Sequence, residues 1–126
     1  MNDQTLLHRQ INPFFVKCGE ITSQVFTPKP NDRLLLSVYN GDTISPADSF
    51  RHYTRRPECR SVGTVSVIRG ECLSLSLPAG EDPLDDNPDH AVIDFSNAES
   101  KSAVRKLAEK LKDFALARGW THGPIE

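Results

Sequence analysis

Three neighbouring polar residues, His8, Arg9 and Gln10, interrupt the apolar first segment LLHRQI. Imidazole, guanidinium and amide groups can hold a ligand, and a histidine can also transfer protons. Strand alternation places His8 and Gln10 on one face and Arg9 on the other face, with Leu7 and Ile11. Because buried polar groups need hydrogen-bond partners, His8 and Gln10 are predicted either to line a binding cleft or to lie on the solvated face of an edge strand.

Two further groups could contribute to the same cleft as binding residues. His52 and Tyr53 would add an imidazole and a phenol, although such a pair can also pack by its rings and keep its polar tips in water. Asp94 lies in the apolar run AVIDF and should share one strand face with His90. A carboxylate there could be a general base or a substrate anchor. Otherwise it is solvated or pairs with one of the arginines in the stretch 51–60.

The composition is that of an ordinary soluble domain. A chain of 126 residues suits one domain with a real core, and a net charge of −2 gives no general preference for nucleic acids or membranes. No apolar run is long enough to span a membrane, and the first residues lack the pattern of a signal peptide, so a cytoplasmic protein is expected. Cys18, Cys59 and Cys72 have neither disulfide nor zinc spacing, which predicts reduced thiols.

No sequence motif identifies a reaction. The acidic residues between 81 and 89 lack the spacing of a calcium loop, so no metal site is expected. The arginines between 51 and 60 have no interleaved aromatic platform, which leaves nucleic-acid binding unsupported. Phosphate-loop, nucleophile-elbow, zinc-protease and dinucleotide-binding patterns are all missing from the sequence. These observations favour a small non-catalytic binding or accessory protein that acts through a protein partner.

Two helices can be predicted from their end signals. Ser96 and Glu99 form a capping box, and the apolar residues that follow recur at three- and four-residue spacing up to a stop at Gly119. This pattern predicts a long amphipathic helix of about 22 residues, roughly 33 Å in length. A second, shorter helix should begin after Ser45 and run to about Thr54.

The remaining elements predict an α+β fold, a single domain over residues 1–126 with a largely antiparallel sheet against the long helix and a loose tail over 121–126. Apolar alternation and β-preferring residues predict strands at 6–11, 23–26, 34–39, both arms of a hairpin within 61–77, and 91–95. Arg69-Gly70 should form the hairpin turn. The proline-containing stretches 27–32 and 78–89 are expected to be loops.

Several stretches together resemble a family of small uncharacterised bacterial proteins. They are HRQINP, the segment from SQVFTP to LLLSV, SVGTVSV, the acidic proline-containing loop and HAVIDF, and the resemblance covers most of the chain. It implies a bacterial origin and no particular activity.

A looser similarity is to the compact ADP-ribosyltransferase fold. In that fold a first strand carries His or Arg, a later strand carries Tyr or Ser before a helix, and a glutamate completes the site. The similarity implies NAD as cofactor and the following catalytic candidates: His8 or Arg9, Ser37 or Tyr39, and Glu71. An NAD-dependent transferase or toxin-like enzyme is therefore the alternative function. A pocket containing the first-strand residues and Tyr39 would favour the enzyme, whereas His8 exposed on an edge strand would favour the binding protein.

Overall fold

The computed structural model describes residues 1–29 and 33–125. These residues form seven strands: β1 (Leu6–Gln10), β2 (Val16–Lys17), β3 (Glu20–Ile21), β4 (Leu35–Asn40), β5 (Thr64–Ile68), β6 (Ala79–Glu81) and β7 (His90–Asp94). The α-helices are α1 (Pro46–Thr54), α2 (Arg69–Ser74) and α3 (Lys101–Arg118), and two short 3₁₀ helices span Pro13–Phe15 and Ser23–Phe26. In the described part of the chain, no helix is long and apolar enough to cross a membrane.

The predicted α+β architecture is confirmed. Five strands form one antiparallel sheet in the order β5-β1-β4-β7-β6, and β2 and β3 form a separate hairpin. β1 lies between β5 and β4, so the interpretation of His8 and Gln10 as residues of an edge strand is wrong. In the predicted loop over 27–32, residues 27–29 belong to no helix or strand, and residues 30–32 lie outside the described residues.

The long helix α3 covers one face of the sheet, as its apolar stripe predicts. Its buried residues are Val104, Ala108, Leu111 and Ala115. The 3₁₀ helix Ser23–Phe26 wedges against α3 and buries Val25 and Phe26. Ser23–Phe26 is therefore not the predicted strand, because its two apolar residues fill the space beside α3 instead of joining a ladder.

The predicted capping box of α3 is wrong. The Ser96 amide donates to Asp94 Oδ1 at 2.8 Å, which forms a turn after β7. The helix begins one turn later, where Ser100 Oγ accepts from the Ala103 amide. Its 18 residues make it about 27 Å long. The predicted stop is correct, because Gly119 has a φ of +89°.

The start of α1 is also as predicted, since Ser45 Oγ accepts from the Asp48 amide at 3.1 Å. This helix packs on β1 and β5, on the sheet face opposite α3. It therefore lies over the polar side chains of the first strand. Helices α3 and α1 therefore cover opposite faces of the part of the sheet that contains β1 and β5.

Two predictions for the region between β5 and β7 are wrong. Arg69-Gly70 does not turn a hairpin but begins α2, because the Glu71 carboxylate accepts from the Ile68 amide and caps a helix there. Part of the predicted loop over 78–89 is strand β6, which pairs with β7.

The described residues after α3, 119–125, pair along the edge of β5 and differ from the predicted loose tail. The Thr64 amide donates to the His122 carbonyl at 2.8 Å, and the Thr121 amide donates to the Thr64 carbonyl at 2.9 Å. The Ile125 amide likewise donates to the Val62 carbonyl. The C-terminal segment therefore occupies the outer edge of β5.

Candidate binding cleft between the first and fourth strands

A cleft opens in the sheet because β1 and β4 separate along their length. These strands pair only at Leu7–Asn40 and His8–Tyr39, whereas β1 stays paired with β5 as far as Gln10. The space between the separated strands is a cleft of about 370 Å³. That volume lies within the range of small-ligand sites.

The walls of the cleft combine polar side chains with the exposed side of β4. The polar lining residues are His8, Arg9, Gln10, Asn12, Thr27, Lys29, Ser37, Tyr39, Tyr53, Asn87 and His90. The apolar ones are Phe15, Pro28, Leu35, Leu36 and Val38. These described lining residues include two cations, Arg9 and Lys29, and no acid. The cleft is thus locally cationic on a chain whose net charge is −2.

Arg9 crosses the gap between the separated strands. Its Nε donates to the Val25 carbonyl at 2.7 Å and its Nη1 to the Ser37 carbonyl at 2.8 Å. Burial lowers the pKa of the Arg9 guanidinium from its ordinary value, and the nearby Tyr53 opposes that shift. Its hydrogen-bond partners are neutral, and no described carboxylate forms an ion pair with it. A partly buried cation without a counter-charge is costly, so an anion would be stabilised beside Arg9.

Asn87 adds a buried polar atom that lacks a partner. Its backbone pairs with Leu84 to close a tight turn, and the residue is only 9% exposed. Among the described residues, nothing donates a hydrogen bond to Asn87 Oδ1. A buried acceptor without a donor costs about 1–3 kcal/mol. Asn87 therefore carries an unsatisfied acceptor in the wall of the cleft.

Tyr39 connects the wall of the cleft to α1. Its hydroxyl lies 2.7 Å from His52 Nδ1, and burial raises the pKa of Tyr39 to about 12. The phenol is therefore protonated at neutral pH and shares a hydrogen bond with His52 Nδ1, and His52 Nε2 lies 3.0 Å from the Asp86 carbonyl oxygen. Arg56 forms an ion pair with the Asp86 carboxylate at 3.0 Å. These bonds hold the turn that carries Asn87 against α1.

A second group on the cleft wall contains Ser37, His90 and Asp82. Ser37 Oγ lies 3.0 Å from His90 Nε2. On the other side of the ring, His90 Nδ1 lies 2.8 Å from the Asp82 carbonyl oxygen and 3.2 Å from Asp82 Oδ2. Ser37 is exposed, and the His90 side chain is 11% exposed.

The structure brings His8 and Gln10 together, but their side chains are engaged inside the protein. His8 is 1% exposed, its Nε2 donates to the Ile44 carbonyl, and its Nδ1 accepts from Ser66 Oγ at 2.8 Å. Burial lowers the pKa of His8, which keeps the ring neutral. Gln10 donates to Ser49 Oγ at 3.0 Å. Both residues support the cleft wall from beneath α1.

Of the other site residues proposed from the sequence, some lie at the cleft and others lie away from it. Tyr53 lines the cleft, and His52 reaches it only through Tyr39. Asp94 receives the Ser96 amide, and no described arginine pairs with it. Glu71 caps α2 and accepts from Arg118 at 3.0 Å. Neither acid lines the cleft, so the glutamate implied by the transferase similarity is not assembled with His8 and Tyr39.

Asn87 and His90 are cleft residues that the sequence pattern does not single out as site residues. Asn87 lies in the stretch predicted to be an exposed loop, and only the turn pattern LDDN could have indicated a tight reversal there. His90 was placed on a strand face without a role. Its proximity to Ser37 depends on how β4 and β7 align with each other, and this register cannot be predicted from the sequence of either strand alone.

A second concavity is an apolar groove beside the C-terminal segment. It measures about 460 Å³ and is lined by Pro13, Val16, Gly19, Ile21, Val62, Trp120 and Pro124. No charged side chain lines it, so it offers contact area without a group that selects a ligand.

No family model, curated protein or solved structure matches the chain.

Proposed function

We propose that the protein is a binding protein whose cleft holds a carboxylate of a protein partner. The observation that carries this proposal is Arg9, a partly buried cation whose described partners are all neutral carbonyl groups. Two of its five N–H donors are used, which leaves donors for an anion. Arginine binds carboxylates with well-defined geometry, and such charge-assisted bonds are stronger than neutral ones.

The free side of β4 favours a peptide over an isolated small anion. Residues 35–38 have no strand partner on the side facing β1, and all four line the cleft. An extended peptide can add to such an edge through its backbone and place alternate side chains in pockets. Asn87 also lines the cleft, and its buried Oδ1 has no donor among the described residues. The proposed ligand is therefore the extended C-terminal end of a partner, with its carboxylate near Arg9.

The NAD-dependent enzyme is the second candidate. It is favoured by one observation, because His8, Arg9 and Tyr39 all line the same cleft. The pyrophosphate of NAD would also be attracted by Arg9 and Lys29. The described lining residues provide no acid to take the place of the catalytic glutamate, so this candidate ranks below the binding protein.

The binding proposal can be tested by calorimetric titration with peptides of random sequence that carry either a free or an amidated C-terminus. The free-carboxylate pool should bind about tenfold or more tightly than the amidated pool, because a charge-assisted hydrogen bond contributes about 1.5–3 kcal/mol. Acetate and succinate form a third arm, since equal affinity for them would indicate a small-molecule ligand. NAD forms a fourth arm, with nicotinamide release as its readout. Absence of any carboxylate preference would overturn the proposal.

A pair of Asn→Asp substitutions, one in the cleft and one outside it, tests whether a negative charge in the cleft weakens binding. Asn87→Asp keeps the Oδ1 acceptor but adds a negative charge beside the proposed carboxylate, so it should weaken binding of the free-carboxylate pool. Asn97→Asp makes the same change at an exposed position outside the cleft and should leave binding unchanged. Equal effects of the two substitutions would show that only the overall charge matters.

A further inference from the structure

The groups on the β4 and β7 side of the cleft have the arrangement of a serine nucleophile with its base. Ser37 Oγ lies 3.0 Å from His90 Nε2, and His90 Nδ1 faces two oxygens of Asp82. A nucleophile within hydrogen-bond reach of a base, with the base oriented by a third group, is the geometric criterion for such a site. The sequence lacks a nucleophile elbow, but the constellation is recognised by geometry and not by sequence position.

The hydrogen bonds also fix the useful tautomer of His90. Both groups that Nδ1 faces, the Asp82 carbonyl and carboxylate oxygens, can only accept a hydrogen bond. Nδ1 of the neutral ring must therefore carry the hydrogen. Nε2 is then an acceptor, and the Ser37 hydroxyl donates to it. This is the state in which a histidine can remove a proton from serine.

A second serine–histidine pair in the protein shows what distinguishes this one. His8 Nδ1 accepts from Ser66 Oγ at 2.8 Å, but the two residues are 1% and 0% exposed. No substrate can reach that pair, so its role is structural. Ser37 is exposed at the cleft wall, where a substrate can approach.

We propose that Ser37, His90 and Asp82 form a hydrolytic site for small carboxylic esters in the cleft. Ser37 Oγ attacks the acyl carbon and its proton passes to His90 Nε2. The ester C–O bond then breaks, and the leaving alcohol takes the proton from His90. Water attacks the acyl-enzyme and gives a proton to His90. Ser37 regains that proton as the carboxylic acid leaves. Asp82 is a positioning residue that holds the ring.

Arg9 lies on the other side of the serine. Its Nη1 donates to the Ser37 carbonyl at 2.8 Å, so a cation is fixed next to the residue that would carry the acyl group. Esters that also bear a carboxylate should therefore be preferred over neutral ones. This proposal shares the cleft with the proposed function but does not need a peptide partner, and a protein that binds no peptide could still hydrolyse esters.

The test combines turnover with covalent labelling. The probes are p-nitrophenyl acetate, the p-nitrophenyl monoester of succinate and a fluorophosphonate. We expect saturable hydrolysis, faster for the succinate ester, and a single fluorophosphonate adduct that peptide mapping places on Ser37. Ser37→Ala and His90→Asn should each reduce hydrolysis to the rate in buffer. Ser96→Ala removes an exposed hydroxyl outside the cleft and should hydrolyse at the wild-type rate.

The outcomes separate this inference from the proposed function. Wild-type protein that hydrolyses the esters without preferring free-carboxylate peptides would contradict the proposed function alone, and the reverse result would contradict this inference alone. Thermal melts of both cleft variants establish that they are folded. Hydrolysis that persists in folded Ser37→Ala, an adduct on another residue, or a wild-type protein that neither turns over esters nor takes the label would overturn the proposal.

Discussion

Burial determines what each polar residue of the first strand does. His8 and Gln10 find all their partners within the protein, whereas Arg9 bonds only to neutral carbonyls and remains beside open space. The three residues are adjacent in sequence and all polar. Strand alternation and the separation of β1 from β4 give Arg9 a different role from its neighbours.

Replacement of His8 should therefore lower stability substantially. His8→Ala leaves the Ser66 hydroxyl and the Ile44 carbonyl without their buried partner and opens a cavity. We expect a loss of about 2–4 kcal/mol in the free energy of unfolding, measured by urea denaturation. His122→Ala, at a half-buried position, should cost less. A loss below about 0.5 kcal/mol, as at an exposed site, would show that these bonds contribute little.

His8 should also make stability depend on pH. Its folded pKa is lowered by burial, whereas the unfolded residue titrates near its ordinary value of 6.5. Below about pH 6.5 the unfolded chain therefore binds the extra proton first. The contribution of neutral His8 is complete above pH 6.5 and is lost as the pH falls towards the folded pKa. Urea denaturation at pH 7.5 and 5.0 should show the stability difference between wild type and His8→Asn shrinking at pH 5.0. A constant difference would contradict this account.

At the scale of elements, segments with their own end signals could be predicted from the sequence. The stop of α3 at Gly119 and the start of α1 after Ser45 depend on residues within one turn of the boundary. One failure concerns a segment whose form depends on distant neighbours, because the 3₁₀ helix Ser23–Phe26 packs against α3. Two others are local, since Glu71 caps α2 at Ile68 and Ser100, not Ser96, caps α3. The cleft could not be predicted from the sequence, because it forms where the pairing between β1 and β4 ends after His8 and Tyr39.

The prediction that belongs to this scale concerns α3. Leu111 is fully buried in the face that packs on the sheet. Leu111→Ala should reduce the free energy of unfolding by about 2–5 kcal/mol through lost burial and a residual cavity. Lys110→Ala, at the preceding exposed position, provides the matched control and should change stability by less than about 0.5 kcal/mol. Equal urea midpoints for the two variants would mean that this face contributes little to the core.

At the scale of the whole molecule, arginine side chains and the C-terminal segment form hydrogen bonds with backbone groups of strands at positions where no neighbouring strand pairs with them. Arg69 Nε donates to the Ala79 carbonyl at 2.9 Å, and Arg118 Nη1 donates to the Ser66 carbonyl at 3.0 Å. The segment around His122 pairs with Thr64. Free strand edges invite pairing with other chains, so these contacts protect the outer strands. Among the described contacts, the β4 edge inside the cleft is protected at the Ser37 carbonyl alone, by Arg9.

The closure of the β5 edge depends on Gly63. Its φ is +154°, and an added Cβ would lie 2.8 Å from the His122 carbonyl oxygen and 2.8 Å from the Trp120 ring. Gly63→Ala should displace the C-terminal segment, lower the melting temperature and promote self-association, as measured by light scattering. At Gly80 an added Cβ meets no atom within 4 Å, so Gly80→Ala should remain monodisperse. A monodisperse Gly63→Ala with unchanged melting would contradict the proposed closure.

The central claim is that a carboxylate-bearing peptide binds between β1 and β4. Its most direct test is a ¹⁵N NMR titration of the protein with the free-carboxylate peptide pool, followed by the amidated pool. The account predicts that the largest shift changes occur at the amides of Ser37 and Val38 and at the Asn87 side-chain amide, and that they shrink with the amidated pool. Changes centred instead on Ile21 and the Trp120 indole of the apolar groove, or equal for both pools, would contradict it.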